Sequence, residues 1–280
     1  MIEIESAGIT DTGKKRQGNE DSLFLEDSLG LYVVADGMGG HQAGEVASRL
    51  VVETIEDYIK SSRENADAET PICCDKGLSI EANRLLSGIH ESNKAVLEAA
   101  RGNSSYRGMG STVSAVYLTD GTLIAANVGD SPIYLIRDGN IKLLSVPHTL
   151  LAEQESLDPE NARKLGREFR HVLTRAMGTE ESVKADIHEI QCFKNDILVI
   201  SSDGLSDKAS PEEIRRLVDT NGSEAACRRL VDLANGRGGD DNITAIVLKV
   251  KTVKNTPMRF ERFVARTKRI FFRLINKYQI

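Results

Sequence analysis

The chain has 280 residues and a net charge of −6, with 40% hydrophobic and 28% charged residues, which is typical of a globular protein and argues against a disordered or collagen-like chain. It contains no run of 18 apolar residues, and Met1–Glu5 has neither the basic nor the apolar region of a secretory signal. The four cysteines lack metal-site and disulfide-framework spacing. We therefore expect a cytoplasmic protein without a membrane-spanning helix.

The charge is divided between an acidic body and a basic end. Residues 254–280 carry eight Lys and Arg against the single acid Glu261, so this segment has a charge of +7 and residues 1–253 have a charge of −13. Such a split predicts a main domain over 1–253, followed by a separate basic tail over 254–280.

The first half of the chain contains both helical and extended patterns. Leu31–Ala35 is an apolar, β-branched run that predicts a strand. Ala43–Lys60 and Ser79–Ala100 have apolar residues near the helical period, which predicts two long helices. Asp120-Gly121 and Asp138-Gly139-Asn140 predict hairpin turns. The strands that these turns join are predicted at Thr112–Leu118, Thr122–Asn127, Ile133–Ile136 and Ile141–Leu144.

The second half opens with a polar segment, Pro147–Arg170, which shows one or two weak helical turns and is a candidate flap. Strands are predicted at Ile197–Ser201 and Ile243–Val250, and helices between them at Glu212–Val218 and Ser223–Ala234. Consecutive hairpins with helices before and after them favour an α+β sandwich of antiparallel strands with the helices outside.

Four predicted strands run into, or start from, an aspartate. Asp36 and Asp203 each end a strand as Asp-Gly, Asp130 follows the strand at 122–127, and Asp241 leads into the last strand. One such aspartate usually belongs to a turn, but four carboxylates on one rim would repel each other and raise each other's pKa. A hard divalent cation removes that repulsion, and ligation by oxygen alone favours Mg²⁺ or Mn²⁺ over zinc.

An arginine lies near two more acids, in the stretch from Arg16 to Glu20 and Asp21. Its planar guanidinium suits a phosphate group, although a solvated turn with a surface arginine is the commoner meaning of such a stretch alone. A pair of cations with an arginine suits hydrolysis of a phosphate ester by an activated water, without a side-chain nucleophile. No Gly-x-x-x-x-Gly-Lys-Ser/Thr loop occurs, which argues against a P-loop nucleotidase.

Seven motifs in a fixed order resemble the metal-dependent type 2C Ser/Thr protein phosphatases in their bacterial form. Each motif alone is weak, but the ordered set is highly specific and covers about residues 5–250. The matching segments are Arg16 with Asn19-Glu20-Asp21-Ser22, Val34-Ala35-Asp36-Gly37-Met38-Gly39-Gly40-His41, Gly110-Ser111-Thr112, Asn127-Val128-Gly129-Asp130-Ser131, Leu173-Thr174-Arg175-Ala176-Met177-Gly178, Ser201-Ser202-Asp203-Gly204-Leu205-Ser206-Asp207 and Asp241-Asn242-Ile243-Thr244.

The resemblance implies a central β-sandwich of two antiparallel sheets flanked by helices (α-β-β-α), with a dinuclear metal site at one end. It implies two Mn²⁺ or Mg²⁺ ions, with a third in some bacterial members. Asp36 matches the carboxylate that bridges two ions, and the Gly37 carbonyl resembles a ligand of the second ion. Asp203 and Asp241 match the remaining ligands, and Asp130 matches the aspartate of the third, weaker site.

The other matched residues surround this set. Glu20 and Asp21 match acids that hold metal-bound waters or orient the site, and Arg16 matches the phosphate-binding arginine. The segment Pro147–Arg170 corresponds to the family's flap, which varies with substrate. Because every first-sphere aspartate is present, the resemblance disfavours an inactive relative.

Three positions depart from the family pattern, and the role of a fourth, His41, is not defined by it. Met38 stands where many eukaryotic members have a histidine proposed as general acid, so a water on the third ion, or no dedicated acid, must serve here. His41 is nearby in sequence, but a histidine in a loop or at a helix start is more often structural. Pro147 replaces the aspartate that often precedes His148, and we assign His148 no role. Pro132 replaces a usual arginine without removing a ligand.

The function implied by the resemblance is hydrolysis of phosphoserine and phosphothreonine on proteins. The partners would be phosphorylated proteins, among them a Ser/Thr kinase that the enzyme opposes and that kinase's substrates, and we expect a monomer. The alternative is a non-catalytic phosphoprotein-binding regulatory module on the same fold, which would lack metal-dependent turnover. A phosphatase specialised for one regulatory partner, such as an anti-sigma-factor antagonist, differs only in substrate. A nuclease would need a basic groove, and the acidic body makes nucleic acid an unexpected ligand.

The tail over 254–280 has apolar residues near one helical face and basic residues over much of the rest. It is predicted as an amphipathic element, with three open interpretations. It either packs on the acidic body as a terminal helix, lies on an anionic membrane surface or docks on a partner protein. The apolar positions are Phe260, Phe263, Val264, Phe271, Leu274 and Tyr278, and the basic ones are Arg262, Arg266, Arg269, Arg273 and Lys277.

Overall fold

The computed structural model describes residues 2–39, 42–64, 75–162, 164 and 166–253. The tail 254–280 and His41, with the predictions made for them, lie outside the described residues. The strands are β1 (Ile2–Asp11), β2 (Asp21–Glu26), β3 (Leu31–Met38), β4 (Gly110–Ser111), β5 (Val113–Thr119), β6 (Thr122–Val128), β7 (Ile133–Arg137), β8 (Asn140–Leu143), β9 (Asp186–Gln191), β10 (Ile197–Ser201) and β11 (Ile243–Val253). The helices are α1 (Gln42–Glu64), α2 (Ile80–Gly102), α3 (Leu150–Leu157), α4 (Pro159–Ala162), α5 (Asp203–Ser206), α6 (Pro211–Thr220) and α7 (Ser223–Gly236). Two 3₁₀ turns lie at Ser104–Tyr106 and Arg167–His171.

The strands form two antiparallel sheets. One sheet has the order β1-β11-β10-β7-β8, and the other has the order β2-β3-β5-β6-β9, with the short β4 paired beside them to β3. The pairings are antiparallel, for example Asp21 opposite Asp36 and Ser201 opposite Ala245. The predicted sandwich of two antiparallel sheets is therefore confirmed.

The apolar core has three layers, as a sandwich flanked by helices requires. Between the two sheets, side chains such as Val116 and Leu198 pack together in a cluster that contains no helix residue. A second cluster joins the outer face of the β3-containing sheet to α1 and α2, and a third joins the outer face of the other sheet to α6 and α7. Helix α1 packs on the β3-containing sheet through Val51, Ile55 and Ile59, which are fully buried at four-residue spacing on one helix face.

The elements that sequence patterning misses are mostly edge strands. The sheet order places β1, β2 and β9 at edges, and most of their residues are only partly buried. An edge strand packs one face on the core and leaves the other near water, so its sequence mixes polar and apolar residues. The continuous apolar runs that were predicted as strands belong mainly to the central strands β3, β5, β6, β7, β10 and β11.

The two predicted hairpin turns are present. Asp120 and Gly121 have positive φ of 46° and 82°, and Asp138 and Gly139 have positive φ of 51° and 73°. Two successive residues with positive φ match the twist of the flanking strands in a tight hairpin. None of the helices in the described part of the chain is both long and apolar enough to cross a membrane.

Candidate active site

The predicted aspartates meet at one end of the sandwich. Asp36 on β3 lies opposite Asp21 on β2 in one sheet, while Asp203 follows β10 and Asp241 precedes β11 in the other. Burial, and after it the charges of Asp21, Asp203, Asp130 and Asp241, raise the pKa of Asp36 well above its usual range. Five carboxyl groups from both sheets are therefore close enough to influence one another.

Two neighbouring carboxyl groups, those of Asp203 and Asp130, have raised pKa values for the same reasons. Burial, followed by the charges of Asp241 and Asp207, raises the pKa of Asp203. Burial, together with the charge of Asp203, raises the pKa of Asp130 to about 7. Carboxyl groups packed this closely favour a proton or a cation between them.

Asp21 is buried beneath these ligand candidates. Its Oδ2 accepts hydrogen bonds from Ser202 Oγ at 2.8 Å and from Thr244 Oγ1 at 2.6 Å. Burial raises its pKa to about 7, although both hydroxyl groups favour the charged form. Its second oxygen, Oδ1, is buried without a hydrogen-bond partner among the described residues. An orphaned buried oxygen at this position fits a cation or its hydration shell.

The start of α1 approaches the end of β3 very closely. The N–H of Gly37 donates to the carbonyl of Glu20 at 3.0 Å. A Cβ at Gly37 would lie 2.1 Å from the carbonyl oxygen of Gly44, and a Cβ at Gly44 would lie 2.7 Å from the Glu20 carboxyl carbon. Neither position accepts a side chain, so both glycines are required for Glu20 to approach the end of β3.

The loop that carries Arg16 is tied to the start of β11. Arg16 Nη2 lies 2.8 Å from Asp241 Oδ2. The buried Asn242 donates through Nδ2 to the carbonyls of Thr12 and Gly18, each at 2.9 Å. The loop is thereby fixed on both sides of Arg16, whose guanidinium is half exposed and lies beside the carboxylates.

The backbone of Asp36 is held by the predicted Gly110-Ser111-Thr112 motif. The N–H of Asp36 donates to Thr112 Oγ1 at 3.0 Å, and Ser111 Oγ donates to the Asp36 carbonyl at 3.0 Å. Met38 pairs with Gly110 of β4 and contributes no titratable group. The side chain at position 38 therefore cannot act as a general acid next to the carboxylates.

The flap begins and ends beside the same carboxylates. At its far end, His171 lies 3.6 Å from Asp203 and 3.5 Å from Asp207, and Arg170 Nη2 lies 2.9 Å from Asp207. A cavity of about 230 Å³ lies between the flap and the carboxylate rim, and its lining includes Asp130 and Asp203. Ligand atoms of His171, Asp203 and Asp207 lie within 4.8 Å of one another.

The chemistry of these donors fits a hard cation. The predicted ligands Asp36, Asp203 and Asp241 converge, and Gly37 follows Asp36 at the same strand end. Carboxylate and carbonyl oxygens are the ligands that Mg²⁺ and Mn²⁺ prefer. Among the described residues, the histidine that groups with acidic side chains at this site is His171, beside Asp203 and Asp207.

Sequence reasoning missed four residues around the site. Asn242 was quoted in a motif without a role, and its position directly after Asp241 was the available signal. His171 and Asp207 lie near Asp203 in space, but nothing in the spacing of the sequence indicates that the flap returns to this strand end. His148, to which no role was assigned, is buried and hydrogen-bonded.

Comparison with known proteins gives one consistent result. A family model described as protein phosphatase 2C matches residues 12–247. The chain is 32% identical over 248 residues to a serine/threonine phosphatase, Stp, of Listeria monocytogenes, covering 86% of this chain and 93% of that protein.

Solved structures agree with this result. The structure of the Mycobacterium tuberculosis serine/threonine phosphatase PstP is similar with a TM-score of 0.77 and 27% identity, covering 90% of this chain and all of that one. A structure of the PstP catalytic domain in complex with two manganese ions is similar with a TM-score of 0.75 and 28% identity, with the same coverage.

Proposed function

This chain belongs to the protein phosphatase 2C family, and on that basis we propose that it is a metal-dependent protein serine/threonine phosphatase. It hydrolyses phosphoserine and phosphothreonine monoesters of proteins and uses two divalent cations, Mn²⁺ or Mg²⁺. The observation that carries this proposal is the group of aspartates at one end of the sandwich, whose pKa values are raised by burial and by one another, beside the guanidinium of Arg16.

The roles of the individual residues follow from their positions. Asp36, whose pKa is raised by burial and then by four neighbouring carboxylates, is proposed as the ligand that both cations would share. The Gly37 carbonyl, Asp203 and Asp241 complete the set of protein ligands. Arg16 binds the phosphoryl group, because its planar fork lies at the rim and offers donors that match phosphate oxygens.

Glu20 and Asp21 are proposed to orient this site from beneath. Glu20 reaches the site through the space left by two glycines. One oxygen of Asp21 accepts from two hydroxyl groups, and the other has no hydrogen-bond partner in the part of the chain that the structure describes. The cations, when bound, activate a water and screen the phosphoryl charge. The chain itself contributes the fixed geometry of the carboxylates, the phosphate-binding arginine and the two acidic side chains of Glu20 and Asp21 beneath them.

Asp130 is proposed as a ligand of a third, weaker cation. It lies at the wall of the cavity beneath the flap, near Asp203, and burial raises its pKa to about 7. The resemblance to bacterial members of the family supports a weaker affinity at this position.

The proposal extends to the domains of the chain, its tail and its compartment. We propose a catalytic domain over 1–253 and a tail over 254–280 that docks on a membrane surface or a protein, the charge of +7 being the supporting observation. We propose that the enzyme is a cytoplasmic monomer that opposes a Ser/Thr kinase. The two described cysteines, Cys192 and Cys227, are both free, which supports a reducing compartment.

The proposal is tested by hydrolysis of p-nitrophenyl phosphate with Mn²⁺, with Mg²⁺ and with EDTA. Asp36→Asn and Asp203→Asn should lower kcat by roughly 100-fold or more while circular dichroism remains that of the wild type. Asp232→Asn, at an exposed position of α7, is the matched control and should keep full activity. A folded, Mn²⁺-loaded wild type without turnover, also on phosphopeptides, would instead support the non-catalytic binding module.

A further inference from the structure

His148 is buried between the site and the base of the flap. Only 1% of its surface is exposed. Its Nδ1 accepts a hydrogen bond from the N–H of Gly129 at 3.0 Å, and its own backbone N–H donates to the Gly129 carbonyl at 2.9 Å. Both backbone polar groups of Gly129, its N–H and its carbonyl, are therefore hydrogen-bonded to a single residue 19 positions away.

The contacts of the ring fix its protonation. Because Nδ1 accepts a hydrogen bond, it carries no proton, and the ring proton is on Nε2. Nε2 lies 2.7 Å from Asp186 Oδ2 and donates to it. Arg175 Nη1 lies 3.2 Å from the same carboxylate oxygen, to which it supplies the countercharge, and 3.1 Å from His148 Nε2. His148 is thus held in one tautomer by a partly buried carboxylate with its own ion pair.

The residue that His148 holds is the one before Asp130. Gly129 has a φ of +101°, a conformation that favours glycine, and a Cβ there would lie 2.6 Å from Thr112 Cγ2. Thr112 is also the acceptor for the N–H of Asp36. The turn that presents Asp130 is therefore confined by Thr112 on one side and by His148 on the other.

His148 also connects the Gly129–Asp130 turn to both ends of the flap. The N–H of Thr174 donates to the His148 carbonyl at 2.9 Å. Thr149 forms a β-bridge with Leu173, and its side chain caps the N-terminus of α3. A change at His148 is thus transmitted to the Asp130 turn and to the flap base at once.

We propose that His148 is a positioning residue, which fixes the Gly129–Asp130 turn through Nδ1 and so holds the Asp130 carboxylate where a cation takes it as a ligand. This inference rests on the proposed role of Asp130 as a metal ligand. The side chain of His148 contacts the Gly129 amide, Asp186 and Arg175, none of which is a proposed metal ligand.

The test compares two amides that each preserve one nitrogen position of the ring. His148→Asn places an acceptor oxygen near the position of Nδ1, whereas His148→Gln places its amide near the position of Nε2 and leaves the Gly129 N–H without an acceptor. His188→Gln is the matched control, because His188 is an exposed residue of β9 two positions from Asp186. Asp130→Asn reports the loss of the ligand itself.

The first readout is the number and affinity of bound Mn²⁺ ions, measured by titration calorimetry, with melting temperature recorded in parallel. Asp130→Asn and His148→Gln should weaken the weakest Mn²⁺ site by about tenfold or more, while His148→Asn and His188→Gln should bind Mn²⁺ like the wild type. Rescue by Asn but not by Gln is not expected of a residue that only fills space, since loss of packing would lower the melting temperature of both.

Equal Mn²⁺ binding by the Asn and Gln variants would overturn the inference while leaving the phosphatase assignment intact. If Asp130→Asn binds Mn²⁺ like the wild type, the proposed role of Asp130 is wrong and the inference falls with it. The phosphatase assignment is judged separately by p-nitrophenyl phosphate turnover of the wild type. Should the variants fail to fold, ¹⁵N-histidine NMR of the wild type decides, because a protonated Nδ1 on His148 at neutral pH overturns the inference.

Discussion

Arg16 Nη2 lies 2.8 Å from Asp241 Oδ2, although the two residues are 225 positions apart in the chain. The contact joins the proposed phosphate-binding group directly to a proposed metal ligand. It keeps the guanidinium of Arg16 beside the carboxylate rim. Phosphate binding and metal binding are therefore expected to depend on the same short stretch at the start of β11.

Arg16→Lys is expected to lower kcat/KM for a phosphopeptide by roughly 10- to 100-fold, because Lys keeps the charge but loses the planar pair of donors. Steady-state kinetics at saturating Mn²⁺ measures this change. Lys15→Ala is the matched control, since Lys15 is the neighbouring exposed cation and pairs with Asp240 instead of the proposed ligands. A kcat/KM for Arg16→Lys equal to that of Lys15→Ala would contradict the phosphate-binding role.

Asn242→Ala is expected to lower the free energy of unfolding by about 2–4 kcal/mol, because it leaves the carbonyls of Thr12 and Gly18 and the N–H of Glu20 without their buried partner. Urea denaturation measures the change. Asn140→Ala, at an exposed hairpin position with one side-chain hydrogen bond, is the control and should lose less than about 1 kcal/mol. Equal losses in both variants would show that Asn242 does not fix the Arg16 loop.

Stability without divalent cations is expected to fall as the pH rises. The pKa values of Asp21 and Asp130 are raised by burial to about 7, so between about pH 4 and pH 7 the folded state binds more protons than the unfolded state. Each rise in pH through this window therefore favours unfolding. The pKa of His90 is lowered by burial and acts in the opposite direction. Carboxyl groups whose pKa values are lowered by hydrogen bonds to cations, such as Glu5 and Asp240, also act in the opposite direction, but only below about pH 5.

The measurement is the melting temperature in EDTA at pH 5.5 and pH 7.5. We expect a decrease of several degrees, which Mn²⁺ reverses because the cations replace the protons. Asp21→Asn should show a smaller decrease, since its side chain no longer ionises. A melting temperature in EDTA that rises between these pH values would contradict the electrostatic account of the site.

Deletion of 254–280 is expected to leave p-nitrophenyl phosphate hydrolysis unchanged. The paired part of β11 ends at Val253 opposite Ile2, so the truncation removes none of the sheet pairing in the described chain. Kinetics and circular dichroism of the truncated protein measure this. Complete loss of activity in a folded truncation would show that the tail contributes to the catalytic domain.

Co-sedimentation with vesicles of anionic phospholipid distinguishes the uses of the tail. If the tail docks on a membrane surface, the full chain sediments with anionic vesicles and the truncated chain does not. Neutral phosphatidylcholine vesicles are the control. Absence of binding by the full chain would leave docking on a protein or on the acidic body as the use of the tail.

The sequence by itself determined the fold class and the identity of the acidic residues. Central strands such as β3 and β10 are continuous apolar runs because they are buried on both faces, so their positions, and the aspartates at their ends, could be predicted. The helices α1 and α2 follow from apolar spacing in the same way. The edge strands β1, β2 and β9 could not be predicted, because half-buried positions accept polar and apolar residues alike, whereas the edge strand β8 follows a recognisable hairpin turn.

Only the tertiary structure decided which residues support the carboxylates. Asn242 and His148 act through hydrogen bonds to residues distant in the chain, and their roles depend on burial that no local pattern encodes. The return of His171 to Asp203 likewise depends on how the flap packs. A sequence pattern reports the period of a strand or helix, whereas a polar network depends on which strand ends the fold brings to one rim.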